Sequence, residues 1–350
     1  MEPESVEPLG PVDVIGNSGL PIAGLLQLII GHYSTQAIST LTRLGVPDAL
    51  GESSLSADEL AVALSVDKTS LYRLLRTGAT FRVLDHGADD RFTLTETGQF
   101  LRKDVPFSMH DMAIVHGEPW LWNAWGHATE AVRTGATYFE QQFGTGFYEH
   151  VDADPVRTAQ YSGAMANLAG QALLAIGGYD FGQYKRIVDV AGGEGGVLIP
   201  ILQMHQTVTG VVFDLPQIAA RAHDRIAAAG LADRATAVSG DMFGELPADA
   251  DCYLLSMVVN DHQDEQAIKI LQNCRNTMGA EGTLILLDMT VPSAGTPSFA
   301  SLIDLDCLVA SGGRCRTEQE LKELLAAGGF TLKAVHRGIS PICLIEALPA

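Results

Sequence analysis

The chain has 350 residues, 47% apolar and 18% charged, the make-up of a globular protein with room for more than one domain. A net charge of −20 argues against duplex nucleic acid or an anionic membrane surface as partner, since both need clustered Lys and Arg. The five cysteines, Cys252, Cys274, Cys307, Cys315 and Cys343, form no CxxC pair and no Cys/His cluster; no metal site or disulfide framework is expected.

Residues 1–18 are acidic, rich in Pro and Gly, and read as a disordered tail. They lack a signal-peptide pattern, and no apolar run is long enough to span a bilayer, so a cytoplasmic protein is expected. From residue 20 to 50, Leu26, Ile29, Ile30, Tyr33, Ile38, Leu41 and Leu44 recur at helical spacing, with little charge opposite. Such a helix is buried or lies at a subunit interface. Ser56 and Glu59 form a capping box before a helix Leu60–Leu64, and Asp67 can cap another, Ser70–Thr77. Phe81–Asp85 and Arg91–Thr95 flank a turn-rich HGADD as a β-hairpin. Helices followed by a hairpin give a winged-helix order. Acidic residues (Asp58, Glu59, Asp67, Asp85, Asp89, Asp90) surround its Lys68, Arg73 and Arg76, which favours a dimerisation module over DNA binding. A homodimer through residues 19–105 is therefore expected.

Residues 106–178 read as helical and aromatic. Trp120, Trp122 and Trp125 fall within six positions and suggest a pocket wall. From Arg186 the texture changes to β-branched runs alternating with helical stretches: IVDV, VVF, TAV, CYLL and TLILLD. This predicts an α/β fold over 179–350, a Rossmann-like parallel sheet covered on both faces. LKAVHR and ICLIEAL, separated by GISP, can pair antiparallel at one edge.

Three motifs carry chemistry. Strand Ile187–Val190 runs into the glycine-rich turn AGGEGG and then a helix, so backbone N–H groups can approach a ligand closely. Alone this is weak, because NAD, FAD and SAM (S-adenosylmethionine) sites all use such a turn. Asp214 ends the next strand, 25 positions after Asp189, where an acid can accept from both ribose hydroxyls. Gly240-Asp241-Met242-Phe243 follows a third strand; its acid can hold an adenine amino group while Met242 and Phe243 pack on the ring.

With DVAGGEGG, FDLP, GDMF, YLLSMVVNDHQDE and GGRCRT in order, the chain from about residue 20 onward resembles the plant-type and bacterial secondary-metabolite O-methyltransferases. These SAM-dependent enzymes include phenazine N-methyltransferases. The resemblance implies a class I SAM methyltransferase domain behind a winged-helix dimerisation domain, with an aromatic small-molecule acceptor. It places Ala191, Gly192, Gly193 and Gly195 along the methionine part of the cofactor, Asp214 at the ribose, and Asp241 and Met242 at the adenine, with Leu215, Gly240 and Phe243 as further cofactor contacts. Ser256 stands where many relatives carry a cofactor-contacting lysine. His116, Trp125, Met165, Asn167 and Cys307 are the implied acceptor contacts. Where the family's general-base histidine stands, this chain has Asn260, and the two acids that orient that histidine fall at Asp288 and Cys315. An amide cannot act as base. His262 is the remaining candidate if the turn there is not helical. Losing the histidine favours a nitrogen, a carbon or an acidic hydroxyl as acceptor. The alternative is a family member that uses bound SAM for hydroxylation, decarboxylation or a pericyclic cyclisation.

Overall fold

The computed structural model describes residues 21–293 and 296–350; the expected tail lies outside them. The chain divides into two compact units, one ending at Trp122 and the other Asn123–Ala350. The boundary therefore falls inside the aromatic helical stretch, whose helices are shared between the units.

In the first unit the periodic stretch is three helices: α1 (Pro21–Ile29), α2 (His32–Arg43) and α3 (Val46–Leu50). Gly45, at φ 76°, turns the chain between the last two. Strand β1 (Leu55–Ser56) leads to α4 (Ala57–Leu64) and α5 (Lys68–Thr80). The capping box forms: Glu59 N–H donates to Ser56 Oγ at 3.3 Å, and Ser56 N–H donates back to Glu59 Oε2 at 2.7 Å. Asp67 Oδ1 accepts from Ser70 N–H at 2.8 Å, which starts α5 two residues before the expected Ser70. Strands β2 (Leu84–His86) and β3 (Arg91–Leu94) make the hairpin, and β1 adds to its edge. Leu41, Leu50, Leu60, Leu75 and Phe92 are buried in this unit's core. Helix α1 gives it nothing: none of its residues is buried. Helices α6 (Glu96–Gln99), α7 (His110–His116) and α8 (Pro119–Gly126) follow.

The second unit continues with α9 (Ala128–Thr134), α10 (Tyr138–Phe143), α11 (Phe147–Asp152) and the long α12 (Pro155–Ala175). Then strands and helices alternate: β4 (Arg186–Val190), α13 (Leu198–Met204), β5 (Thr209–Asp214), α14 (Pro216–Ala228), β6 (Ala235–Ser239), β7 (Cys252–Ser256), α15 (Asp264–Thr277) and β8 (Thr283–Val291). Helix α16 (Phe299–Val309), strand β9 (Arg316–Thr317), α17 (Glu318–Ala327), β10 (Phe330–His336) and β11 (Ile342–Pro349) complete it. The main sheet runs β10-β11-β8-β7-β4-β5-β6. Pairs from β6 to β8 are parallel, and β11 and β10 are antiparallel, as the C-terminal hairpin pattern predicts. Alternate residues feed two cores: Ile187, Val212, Leu254 and Ile285 one face, Val188, Val211, Tyr253 and Leu284 the other. Each fully buried aliphatic side chain among these, Tyr253 aside, stabilises by about 1.5–3 kcal/mol. Chain order reverses beside β4, which has β5 on one side and β7 on the other. The carboxyl ends of strands at such a switch point are where ligands bind in open α/β sheets.

Candidate cofactor and acceptor site

At these strand ends lies a cavity of about 520 Å³. The three motifs meet there although long stretches of chain separate them. Ala191, Gly192 and Gly193 line it with Asp214, Leu215, Gly240, Asp241, Met242, Phe243 and Ser256. Helices α11 and α12 supply the opposite wall, including Tyr148, Tyr161 and Met165. Gly195 is not among the lining residues; it sits at φ 80° below the turn, against Ile199 and Val212.

The turn is shaped by close approach. A Cβ on Gly192 would lie 2.6 Å from Asp189 Cγ, so only glycine fits over the buried acid. Ala191 takes φ 54° despite its methyl group, which is left-handed backbone that L-residues disfavour. The turn is tied to the next strand: Gly193 N–H donates to Asp214 Oδ2 at 2.8 Å, and Leu215 N–H to Asp214 Oδ1 at 2.7 Å. Burial pushes the Asp214 carboxyl up, and these amides oppose the rise. Asp241 Oδ1 accepts from Phe243 N–H at 2.9 Å, which fixes the loop that presents Met242 and Phe243.

The residues fit an adenosyl sulfonium amino acid. They offer a glycine turn that approaches closely, a carboxylate at the end of the second strand, and an acid with two apolar neighbours, Met242 and the flat ring of Phe243, after the third. They also include a buried acid that no opposite charge pairs with among the described residues. Asp189 is 1% exposed, and neither of its oxygens makes a well-formed hydrogen bond. Burial and the nearby Asp214 push its carboxyl up to about 8.

The stretch after β7 departs from the expectation for a base. Val259–Asp261 form one 3-10 turn, and His262 is extended at φ −127°, so the geometry that would let His262 reach the cavity is present. His262 does line it, with its ring edge-on to Phe243 at 5.5 Å, at the end assigned to the adenine. Burial holds its imidazole below the usual range. It is not a surface histidine. Asn260 is buried and does not line the cavity; its Nδ2 donates to Cys307 Sγ at 3.8 Å, and its Oδ1 has no partner among the described residues. Contact with Cys315, together with burial, pushes the Cys307 thiol up. Asp288 accepts from the main-chain N–H groups of Met289, at 2.7 Å, and of Asn260, and burial raises it to about 7. It holds the turn rather than a side chain at 260.

Arg316, 4% exposed, locks that turn. It donates to the carbonyls of Val259 and His262, each at 2.9 Å, and to Asp264 Oδ1 at 2.8 Å. Gly313 packs so close that a Cβ would lie 2.1 Å from Asn260 O.

Several acceptor-contact expectations fall outside the lining residues. His116 is exposed at the end of α7 in the first unit, and Asn167 lies on α12. Trp125 is 41% exposed, and its indole N–H donates to Asp306 Oδ1 at 2.7 Å. The sequence reading missed Asp261, Tyr148 and Tyr161. Asp261 lines the cavity, accepts from the Tyr148 hydroxyl and the Ser311 side chain, and pairs with no cation among the described residues. Burial pushes its carboxyl up to about 6. Tyr148 and Tyr161 pack edge to face on Phe147. The polar residue beside Asn260 was visible in the sequence, but which of 260, 261 and 262 faces the cavity was not.

Residues 125–331 match the model of an O-methyltransferase domain, and residues 26–104 that of an O-methyltransferase dimerisation domain. The chain is similar to phenazine O-methyltransferase of Lysobacter antibioticus, 36% identical over 326 residues, covering 93% of this chain and 95% of the relative. It is similar to phenazine-1-carboxylate N-methyltransferase of Pseudomonas aeruginosa, 33% identical over 326 residues, 92% and 96% covered. Among solved structures it is similar to an O-methyltransferase from neocarzinostatin biosynthesis in complex with S-adenosyl-L-homocysteine and 1,4-dihydroxy-2-naphthoic acid. That match has a TM-score of 0.74 and 30% identity, covering 91% of this chain and 96% of the other.

Proposed function

We propose that this chain, which belongs to the O-methyltransferase family and is a SAM-dependent methyltransferase, methylates a planar aromatic or heteroaromatic small molecule, with Asp261 as the group that faces the acceptor. The cofactor supplies an electrophilic methyl group on a sulfonium. The glycine turn, Asp214 and the Asp241–Phe243 loop would hold it, and Tyr148, Tyr161 and Met165 would wall the acceptor. Phenazine and naphthoate acceptors in the relatives' names are flat, and these edge-packed rings suit a flat ligand.

The observation that carries the reading is the exchange of places after β7. Asn260 is turned toward Cys307, while the Asp261 carboxylate lines the cavity beside Tyr148. A carboxylate poised near 6 can accept a proton from an acidic hydroxyl at neutral pH. The role is that of the missing histidine, one residue along.

The test supplies SAM with hydroxylated acceptors, 1-hydroxyphenazine and 1,4-dihydroxy-2-naphthoate, and with a ring-nitrogen acceptor, phenazine-1-carboxylate. Methylated product and S-adenosylhomocysteine are read by mass spectrometry. For an oxygen acceptor the rate should rise as pH passes about 6 and Asp261 ionises. Asp261→Asn should remove that rise and lower kcat about 100-fold. A variant as fast as the parent removes Asp261 from the mechanism. Altered acceptor without S-adenosylhomocysteine supports the second reading, a non-methylating use of SAM, which the absence of a base at residue 260 favours.

We also propose a homodimer through the first unit. Its match to a dimerisation domain and the uncovered apolar residues of α1 support this.

A further inference from the structure

We propose that Asp189 is the counter-ion of the bound cofactor's ammonium group, and that binding expels a proton from this carboxyl into solvent. The inference rests on the cradle reading above and goes beyond it. Asp189 sits on β4 directly beneath the glycine turn that lies along the amino-acid end of the ligand. It lines the cavity, yet it is almost wholly removed from solvent and neither oxygen is well hydrogen-bonded. An ionised carboxylate in such a place is costly unless a cation arrives.

Among the described residues no cation pairs with Asp189. Asp214 on β5 faces Asp189 with a second acid, and Cys252 on β7 is a neutral thiol whose ionisation burial suppresses. Of the residues that helix α12 contributes to the cavity, only Tyr161 titrates, and burial raises its phenol, so it is neutral and brings no positive charge. Among the described residues, the Leu198 N–H at the head of α13 is the one favourable group acting on the carboxyl. The two arginines of α14 are taken: Arg221 pairs with Glu194 at 2.9 Å and Arg225 with the same carboxylate at 3.4 Å. In the free protein Asp189 therefore keeps its proton at neutral pH, and burial raises its carboxyl to about 8. A positive ligand beside it reverses the balance, because the ionised form then has a partner.

Calorimetry on the full-length protein tests this. Binding of SAM, S-adenosylhomocysteine and 5′-methylthioadenosine is measured at pH 7 in buffers of different ionisation enthalpy, which counts protons exchanged. The first two carry the ammonium group; the third lacks the whole amino-acid part. SAM and S-adenosylhomocysteine should each release close to one proton, since a group titrating near 8 is mostly protonated at pH 7. 5′-Methylthioadenosine should release about none. At pH 9 the release should vanish. Asp189→Asn should abolish it and weaken both ammonium ligands about tenfold or more while leaving 5′-methylthioadenosine within a few-fold. The parent's pH series stands without the variant if the variant does not fold. Release with SAM alone would move the role to the sulfonium and overturn the assignment, as would no release from a bound ligand. Failure of all three ligands to bind would remove the cradle itself.

Discussion

At the scale of single residues, Ala191 and Arg316 show how the site is stressed and held. Ala191 occupies left-handed backbone at φ 54° where the resemblance expects glycine. Such a conformation costs an L-residue about 1 kcal/mol or more. Ala191→Gly should therefore raise stability by up to about 1 kcal/mol, read from the urea midpoint, with little change in the affinity for S-adenosylhomocysteine. Arg316 is the opposite case. It is buried and spans two carbonyls of the 259–262 turn and one carboxylate. Arg316→Met leaves those acceptors unpaired and should cost about 2–4 kcal/mol. If the turn is what presents Asp261, kcat should fall in the variant more than cofactor affinity does; equal stability to the parent would show the guanidinium is not the brace. The sequence displayed Arg316 only as part of a motif. Its contacts reach back 57 and 54 residues, a separation no local pattern reports.

Elements were legible in proportion to how local their causes are. The capping box at Ser56, the cap at Asp67 and the hairpin around HGADD depend on neighbours within a few residues, and each forms. The buried parallel strands announced themselves as β-branched runs because both their faces are covered. The division of residues 20–50 into three helices was hidden, since Gly31 and Gly45 interrupt a spacing that continues across them. Acceptor contacts were also illegible: Trp125 and Cys307 end up bonded to Asp306 and Asn260, partners fixed by packing. Helix α1 has the one outcome that periodicity left open. Ile22 at 74%, Leu28 at 74% and Ile29 at 63% exposure make a face that a second copy would cover. Leu25→Asp with Leu28→Asp should convert a dimer to a monomer by light scattering at micromolar concentration while leaving the far-ultraviolet dichroism nearly unchanged. A parent that is already monomeric excludes the dimer.

For the whole molecule, the buried acids set how stability follows pH. Asp189, Asp288 and Asp261 are each pushed up by burial, to about 8, 7 and 6. Unfolded, all three titrate near the ordinary aspartate range, so between about pH 4 and 8 these three groups bind more protons in the folded chain than in the unfolded one, opposed by His150 and His262, which burial holds below their ordinary range. Stability then falls as pH rises through that window. This is opposite in sign to an acid held down by a salt bridge. The net charge of −20 adds self-repulsion in the same direction as the last carboxyls ionise. The ligand-free protein should accordingly melt at a higher temperature at pH 5.5 than at pH 8.5. Asp189→Asn, which leaves a neutral amide in place of the costliest acid, should raise the melting temperature at pH 8.5 and change it little at pH 5.5. The same substitution is expected to weaken cofactor binding, so a group that destabilises the free fold is the one that recognises the ligand. A variant that melts below the parent at pH 8.5 would mean that the carboxylate already has a partner in the free protein.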